Sequence, residues 1–193
     1  MKVIFLDHDG VICLASEWGG RFKKQKKWGG RKLSMTNKEI PVEYRFDNFN
    51  KKSIKILNEI IEETGAEIVI SSDWKLHANL EELGEYYLSQ GISKKPIAVT
   101  PNLGQCTWYS NWIWSREWDL EMTRVIEIKQ YLVDHPEITN WVSIDDLNMG
   151  KSGIHYGMEF THDWALDNFV LTPLSNEGIK QSGVKEKVLS FLK

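Results

Sequence analysis

The chain has 193 residues, of which 41% are hydrophobic, and a formal net charge of −3 at pH 7. This length suffices for one domain with a buried core, and the small net charge excludes a protein that attracts nucleic acid through its overall charge. No apolar run approaches about 20 residues, no signal peptide precedes the first strand, and Cys13 and Cys106 lack a disulfide-framework spacing, so we expect a cytoplasmic protein.

Short apolar strands alternate with helical patterns along the chain. The predicted strands are residues 3–6, 66–71, 96–101, 141–146 and 168–172. The predicted helices are residues 50–65, 76–90, 120–135 and 183–193. This alternation predicts a single α/β domain over residues 1–193, a Rossmann-like three-layer sandwich in which helices cover both faces of a mainly parallel sheet.

Two of the predicted helices have recognisable apolar faces. The helix over residues 50–65 ends at a candidate cap, Gly65, and is expected to bury Ile54, Leu57, Ile60 and Ile61. The helix over residues 76–90 is expected to bury Leu80, Leu83 and Leu88.

Acidic and hydroxyl side chains directly follow three of the strands. They are Asp7 and Asp9 after the first, Ser71 and Ser72 after the second, and Asp145 and Asp146 after the fourth. In an open α/β sheet ligands bind outside the carboxyl ends of the strands, so we expect these side chains to converge there. Any one of them alone is equally well explained as a cap at a strand–helix turn. Four converging carboxylates, however, would repel one another unless a hard divalent cation bound them, and oxygen ligands favour Mg²⁺.

Three of these segments resemble the motifs of one family. The stretch "FLDHDGVI" resembles the first motif of the haloacid dehalogenase-like (HAD) phosphohydrolases, "IVISSDW" the second and "WVSIDDLN" the fourth, in the same order. The segments "ISSDWK", "AVTPNLG", "TRVIEIKQYLVDHPEITNWVSIDD" and "LTPLSNEGIKQSGVKEKVLSFL" are similar to the HAD domain of Swiss Army Knife RNA-repair proteins. This resemblance covers most of the chain outside residues 15–45 and 105–118. It implies a HAD-like fold and a phosphatase, which is a phosphoric monoester hydrolase.

The resemblance implies roles for the residues of the first motif. Asp7 is expected to be the nucleophile that forms an aspartyl-phosphate. Asp9 is expected to protonate the leaving oxygen and then to deprotonate the water that hydrolyses the intermediate. Gly10 is expected to let the backbone turn sharply near the phosphate. His8 points away from both acids on an extended chain, so we expect it to pack or to support them.

The second motif leaves a choice open, and so does the third, which would lie at the helix start "R-x-x-E-I" that begins at Arg124. Ser71 is expected to hydrogen-bond a phosphoryl oxygen, with Ser72 as the alternative if the strand ends one residue later. Arg124 is expected to supply the cation that neutralises charge in the transition state, and Lys129 is the alternative. Most HAD enzymes have Lys in this role.

The fourth motif is expected to bind Mg²⁺. Asp146 is the first-choice ligand and Asp145 its partner, while Asp7, the backbone carbonyl of Asp9 and water complete the site. The ion would screen the repulsion between an anionic nucleophile and an anionic phosphate. Because the motif continues as "DDLNMG" without a further acid, Asn148 is a candidate for the missing position.

Residues 16–45 are expected to form a small cap-like insert after the first strand. They show little periodicity, and the stretch "RFKKQKKWGGRK" (21–32) holds seven basic residues and no acid. Lys24 and Trp28 are candidate substrate-binding residues, because a basic cluster with interleaved aromatic rings can contact the backbone of RNA or DNA and stack a base. A solvated loop explains the same composition.

Residues 105–118 are expected to form a tryptophan-rich loop or lid. This segment contains Trp108, Trp112, Trp114 and Trp118. Large aromatic rings more often pack in a core or a lid than stack on bases, so packing is the favoured interpretation.

The carboxylate pattern together with the resemblance implies an Mg²⁺-dependent phosphatase that acts on a phosphorylated substrate, and the resemblance and the basic insert favour nucleic-acid ends as that substrate. One alternative is a phosphatase for small molecules such as nucleotides or sugar phosphates. The other is a binding module that keeps the fold without turnover. The intact pair of Asp7 and Asp9 argues against a binding module, because Asp9 serves catalysis rather than folding.

Overall fold

The computed structural model describes residues 1–29, 38–103, 116–150, 152–155, 158–161 and 165–193. For 116–119, 152–155 and 158–161 it describes the backbone alone. The strands are β1 (Lys2–Leu6), β2 (Glu67–Ile70), β3 (Ala98–Val99), β4 (Asn140–Asp145), β5 (Ser152–His155), β6 (Met158–Thr161) and β7 (Phe169–Leu171). The helices are α1 (Gly20–Gly29), α2 (Val42–Arg45), α3 (Lys51–Thr64), α4 (Leu80–Gln90), α5 (Arg116–Asp134) and α6 (Val184–Leu192). Short 3-10 turns lie at Asp73–Leu76 and Gly178–Lys180.

Five of the strands form one parallel sheet in the order β3-β2-β1-β4-β7. The central strand is β1, where Leu6 pairs with Ile70 of β2 and with Ile144 of β4. Because these strands run in the same direction and in register, their carboxyl ends reach the same edge of the sheet. The predicted α/β class with a mainly parallel sheet is confirmed.

The central strand buries side chains on both faces of the sheet. Ile4 and Leu6 belong to one core cluster with residues of α3, α4 and α6. Val3 and Phe5 belong to a second cluster on the opposite face, with residues of α5 that include Val125. Successive strand residues point to opposite faces, so a strand covered on both sides requires an unbroken apolar run. The predicted three layers are therefore present.

The termini of α3 follow from its sequence, and its buried face is as predicted. The side chain of Asn50 accepts hydrogen bonds from the backbone N–H groups of Lys52 and Ser53. The first N–H groups of a helix have no acceptor within the helix, and Asn50 supplies one for these two. Gly65 has a φ of 69° and ends the helix in the left-handed conformation. The four side chains predicted to be inward, Ile54, Leu57, Ile60 and Ile61, are buried.

The buried face of α4 differs from the predicted one. Leu83 is buried as expected, but Leu80 and Leu88 are 37% and 44% exposed, so the prediction for these two residues is wrong. Their place in the core is taken by Tyr86 and Tyr87, which are fully buried. The inward face follows the i, i+3, i+4 spacing from Leu83, and this spacing selects the two tyrosines.

Two regions contain structure that the sequence patterns did not indicate. The insert over residues 16–45 contains α1 and α2, which pack against each other, where little periodicity was expected. A separate antiparallel hairpin, β5–β6, follows the fourth strand of the main sheet. Most of the predicted tryptophan-rich loop lies outside the described residues, and α5 begins at Arg116. The helices within the described ranges include none that is long and apolar enough to cross a membrane.

Candidate active site

Three carboxylates meet at the edge of the sheet where β1 and β4 end. Asp7, Asp145 and Asp146 each place a carboxylate oxygen within 4.8 Å of the others. They adjoin a cavity of about 330 Å³, and the residues that line it include Asp7, Asp9, Ser72, Lys75, Arg124 and Asp146. The parallel strands end together here, so residues far apart in the chain are brought to one place, as expected for this class of fold.

Arg124 of α5 is the cation in direct contact with this cluster. Its Nη1 atom lies 2.7 Å from Oδ2 of Asp145 and 3.1 Å from Oδ1 of Asp7. Its Nη2 atom lies 3.4 Å from the exposed Asp73. Lys129 lies five residues further along the same helix, which rotates it by about 140°, and it is exposed. The structure therefore brings Arg124, and not Lys129, to Asp7.

Burial makes the ionised state of these carboxylates unfavourable. It raises the pKa of Asp7 well above its usual value, although the charge of Arg124 opposes this shift. It raises the pKa of Asp145, which Arg124 again opposes. Burial and the charge of Asp145 together raise the pKa of Asp146 to about 6. The cluster thus retains protons more strongly than exposed carboxyl groups do.

The carboxylate cluster has the composition of a site for a hard divalent cation. One guanidinium, that of Arg124, contacts the cluster of three carboxylates, so the ionised cluster carries excess negative charge in a largely buried site. Each oxygen of Asp145 accepts one hydrogen bond, Oδ1 from the backbone N–H of Leu147 and Oδ2 from Arg124, and keeps a second lone pair that an ion could use. All the donors are oxygens, which suits Mg²⁺. The residues present therefore fit the ion that the sequence predicted.

Gly10 allows the chain after β1 to pass close to Asp146. Its φ of 71° lies in the left-handed region, and a Cβ atom at this position would overlap the carboxylate of Asp146. Only glycine combines this backbone conformation with such a close approach. Gly10 therefore brings the first and fourth motifs into contact, in addition to the turn expected from the sequence.

Asp9 lines the cavity beside the cluster, but its side chain is not part of it. Oδ2 of Asp9 accepts a hydrogen bond of 2.9 Å from the indole Nε1 of Trp74. Burial raises the pKa of Asp9, and the hydrogen bond from Trp74 opposes this shift. The predicted contribution of Asp9 to metal binding was through its backbone carbonyl, and it stays a prediction.

The two candidate serines occupy different places. Ser72 lines the cavity. Ser71 follows β2, and its backbone N–H donates to the carbonyl of Leu6 over 2.9 Å. Its Oγ is buried without a hydrogen-bond partner in the described part of the chain. Both serines lie at the predicted edge, and the choice between them stays open.

His8 is part of an aromatic cluster behind the site. It is fully buried, and its Nε2 lies 2.6 Å from the hydroxyl of Tyr87. Its ring packs against those of Trp74 and Phe49, with centroids 4.5 Å and 5.4 Å away. Burial lowers the pKa of His8 to about 3, so the ring is neutral. The expectation that His8 packs is confirmed by these contacts, and that it does not react stays a prediction.

Lys75 is a cavity residue that sequence analysis did not single out. Its ammonium pairs with Glu127 of α5 and donates to Oγ1 of Thr100 over 2.8 Å and to the carbonyl of Pro101 over 3.1 Å. Burial lowers the pKa of Lys75. These contacts join the ends of β2 and β3 to α5, and so hold the helix that supplies Arg124. The quoted segment "ISSDWK" contains Lys75, but no periodicity indicated that it points inward.

The candidate residues of the insert lie away from the cavity lining. Nζ of Lys24 donates to the carbonyl of Phe46 over 2.8 Å and to Oδ1 of Asn48 over 2.9 Å, so it attaches α1 to the body of the protein. Trp28 is 46% exposed and stacks on Tyr44, with ring centroids 5.6 Å apart. Three neighbouring lysines of α1 are exposed: Lys23, Lys26 and Lys27. Within the insert, α1 thus presents a basic surface beside the exposed indole of Trp28.

Comparison with known proteins agrees with this geometry. Residues 3–182 match the family described as the HAD domain in Swiss Army Knife RNA repair proteins. No curated protein and no solved structure matches the chain. The matched range includes the three clustered carboxylates and the five strands of the parallel sheet, apart from Lys2 at the start of β1. The chain therefore belongs to the HAD superfamily, as a member of the family of HAD domains found in Swiss Army Knife RNA repair proteins.

Proposed function

We propose that the protein is an Mg²⁺-dependent phosphatase that forms an aspartyl-phosphate on Asp7 and acts on phosphorylated nucleic-acid ends. The observation that supports this most directly is the position of Asp7. It is buried at the edge of the cavity, in contact with Arg124 and clustered with Asp145 and Asp146. Membership of the HAD superfamily supports a hydrolase, and the first motif supports Asp7 as its nucleophile.

In the first step, an oxygen of Asp7 attacks the phosphorus atom of the substrate. The bond between phosphorus and the leaving oxygen breaks, and Asp9 transfers a proton to that oxygen. Burial raises the pKa of Asp9, which increases the fraction that carries a proton near neutral pH. The products of this step are the free alcohol, an ionised Asp9 and the aspartyl-phosphate.

In the second step, water attacks the phosphorus atom of the aspartyl-phosphate. Asp9 accepts the proton from this water, and the bond between phosphorus and the Asp7 oxygen breaks. Inorganic phosphate leaves, Asp7 is again a carboxylate and Asp9 is again protonated. The same residue acts as acid and then as base, so each turnover restores the starting state.

The side chains that would hold Mg²⁺ are those of Asp7, Asp145 and Asp146. The ion would supply positive charge that offsets the repulsion between an anionic nucleophile and an anionic phosphate. We assign the protein's own cationic role to Arg124, because it contacts Asp7 and Lys129 is exposed. Ser72 is our first choice for the hydrogen bond to a phosphoryl oxygen because it lines the cavity.

Two observations support nucleic-acid ends as the substrate class. The family is described by its occurrence in RNA repair proteins. On this chain, α1 presents the exposed Lys23, Lys26 and Lys27, with the exposed indole of Trp28 next to them. Ammonium groups attract phosphates and an indole can stack on a base, which are the two components of sequence-independent binding to single strands.

A small-molecule phosphatase is the second candidate function. The cavity of about 330 Å³ lies within the size range of pockets for small ligands, and Leu76, Leu120 and Leu147 contribute apolar surface to it. A substrate enclosed by this cavity would not need the surface of α1. The two candidates therefore differ in whether α1 affects catalysis.

The experiment that tests the proposal is a panel of phosphorylated compounds, assayed with Mg²⁺ and with EDTA. It contains 3′- and 5′-phosphorylated oligonucleotides, nucleotides, sugar phosphates and an aryl phosphate. We expect phosphate release only with Mg²⁺ and a higher kcat/KM for an oligonucleotide end than for the matching mononucleotide. Equal or higher kcat/KM for the mononucleotide would support the second candidate.

A triple variant, Lys23→Gln, Lys26→Gln and Lys27→Gln, tests the role of α1 directly. Lys24 is left in place because it attaches the helix to the body of the protein. For the parent, the affinity for a single-stranded oligonucleotide should fall with salt, with a log–log slope of about −0.7 per contacted phosphate. We expect the variant to flatten this slope and to raise KM for the oligonucleotide, without changing turnover of the aryl phosphate.

The matched control for the α1 variant replaces three exposed lysines outside α1, Lys55, Lys187 and Lys193, by Gln. It makes the same change in net charge away from α1. If the control lowers oligonucleotide affinity as much as the α1 variant does, then binding depends on net charge and α1 is not a binding surface.

A further inference from the structure

The hydrogen bond between Trp74 and Asp9 connects the cavity to the aromatic cluster behind it. Nε1 of Trp74 lies 2.9 Å from Oδ2 of Asp9, and the indole is only 4% exposed. Trp74 is the last residue of the segment "IVISSDW" that resembles the second motif, whereas Asp9 belongs to the first. An indole N–H is a donor with a single direction, so it fixes the orientation of the oxygen that accepts from it.

Trp74 is itself held in place by rings on several sides. It stacks on Phe46 with centroids 4.4 Å apart and an interplanar angle of 13°, and on Phe49 with centroids 5.4 Å apart. His8 contacts it with a centroid distance of 4.5 Å. A side chain packed in this way has little freedom to rotate, so the direction of its N–H is set before a substrate binds.

We propose that Trp74 is a positioning residue for Asp9: its indole N–H holds one carboxylate oxygen, so that the other is presented to the leaving group of the substrate. This inference rests on the proposed function, in which Asp9 is the general acid. Trp74 is only 4% exposed, while Asp9, which accepts from it, lines the cavity.

A purely structural role for Trp74 predicts a different set of effects. The ring fills space in the core, and its loss would lower stability whatever Asp9 does. A positioning role predicts that removal of the N–H alone impairs the proton transfer that Asp9 performs. Proton transfer matters most for esters whose alcohol is a poor leaving group, so the effect should depend on the leaving group.

The test replaces Trp74 by Phe, which keeps an aromatic ring and removes the N–H. We expect kcat for an alkyl phosphate to fall by roughly 10- to 100-fold, the scale of a misplaced catalytic group. For an aryl phosphate we expect a much smaller fall, and KM should change little for both. In an Asp9→Asn background, Trp74→Phe should cause no further loss, because the group that it positions has already been disabled.

The matched control is Tyr86→Phe. Tyr86 belongs to the same aromatic cluster, and its hydroxyl donates to the backbone carbonyl of Asp47 over 2.7 Å. The variant therefore removes one buried hydrogen bond and keeps the ring, without touching Asp9. It should lower the unfolding temperature but leave the ratio of alkyl to aryl turnover unchanged.

A second measurement leaves Trp74 in place and does not depend on activity. The indole ¹⁵N–¹H resonance of Trp74 should move upfield in an Asp9→Ala variant, because the carboxyl oxygen that accepts its hydrogen bond has been removed. An unmoved resonance would overturn the proposal, even if Trp74→Phe failed to fold.

The outcomes separate this inference from the proposed function. If the parent hydrolyses phosphate esters but Trp74→Phe lowers alkyl and aryl turnover equally, or adds its full loss to that of Asp9→Asn, then the positioning role is wrong and the phosphatase stands. If the parent hydrolyses no phosphate ester of the panel, the proposed function and the positioning role are both wrong.

Discussion

Replacement of Arg124 by Met tests the electrostatic balance of the site through stability. Met keeps most of the length of the side chain but removes the charge that contacts Asp7 and Asp145 at 3.1 Å and 2.7 Å. The variant leaves two carboxylates buried without their counter-ion. In EDTA, so that no divalent ion can substitute for the guanidinium, it should be markedly less stable than the parent.

The size of the loss follows from two opposing contributions. At an effective dielectric constant near 20, each charge pair with charge centres about 4 Å apart contributes roughly 4 kcal/mol, so the two pairs contribute roughly 8 kcal/mol. Taking the guanidinium, which is only 11% exposed, out of water costs several kcal/mol. We therefore expect Arg124→Met to lower the free energy of unfolding by about 3–5 kcal/mol, which corresponds to roughly 10 °C in Tm for a domain of this size.

The dependence on pH gives the sharper test of the cause. Burial raises the folded-state pKa of Asp7 and Asp145, and Arg124 opposes both shifts. Without Arg124 the folded state binds more protons than the unfolded state over a wider range of pH. The free energy of unfolding of Arg124→Met therefore falls as the pH rises through that range. The loss should be small near pH 4, the unfolded-state pKa, and grow as pH rises through the raised folded-state values.

The assay is chemical or thermal unfolding in EDTA, at several pH values, of the parent, Arg124→Met and Lys129→Met. Lys129 lies on the same helix but is exposed, so its replacement should change the free energy of unfolding by less than about 0.5 kcal/mol. The reasoning is refuted if Arg124→Met is as stable as the parent in EDTA at neutral pH, or if its loss grows as the pH is lowered.

Three further predictions concern the acids. Asp7→Asn should lower the turnover of an aryl phosphate by several orders of magnitude with the fold intact, and an Asp7→Asn variant with parental turnover would exclude the covalent route. Asp9→Asn should slow alkyl phosphates more than aryl phosphates; an equal loss for both would argue against its role as an acid. Because the pKa of Asp146 is raised to about 6, Mg²⁺ should raise Tm more at about pH 7.5 than at about pH 5, and equal shifts would indicate that the ion binds elsewhere.

The elements that the sequence predicted well are those whose patterns depend on local geometry. A strand covered on both faces needs an unbroken apolar run, so β1 and β4 were recognisable. The caps of α3, Asn50 and Gly65, are set by hydrogen bonds within a few residues. The convergence of Asp7 with Asp145 and Asp146 followed from one topological rule about parallel strands.

The parts that the sequence did not predict depend on contacts between distant segments. The inward face of α4 is decided by the aromatic cluster that Tyr86 and Tyr87 join, and leucine at position 80 or 88 is compatible with either face. The helical character of α1 depends on anchors outside it, such as Asp47, which accepts from the backbone N–H groups of Gly19 and Arg21. Neither contact can be seen in a window of neighbouring residues.

The same limit applies to the site itself. Arg124 and Lys129 were both compatible with the spacing of the helix, and only the packing of α5 against the sheet brings Arg124 to Asp7. Lys75 and Trp74 were visible in the segment "ISSDWK", but their partners, Glu127 and Asp9, lie on other elements. These contacts support the catalytic residues, and they require the folded arrangement to be recognised.

The most direct test of the central claim is to trap the aspartyl-phosphate. In Asp9→Asn, an aryl phosphate can still phosphorylate Asp7, because its leaving group needs little protonation, whereas hydrolysis of the intermediate is slowed by loss of the base. After an acid quench, mass spectrometry should find one phosphoryl group on the peptide that contains Asp7, and none in the double variant Asp7→Asn, Asp9→Asn. Turnover without any phosphorylated peptide, or a phosphoryl group that persists when Asp7 is replaced, would contradict the account.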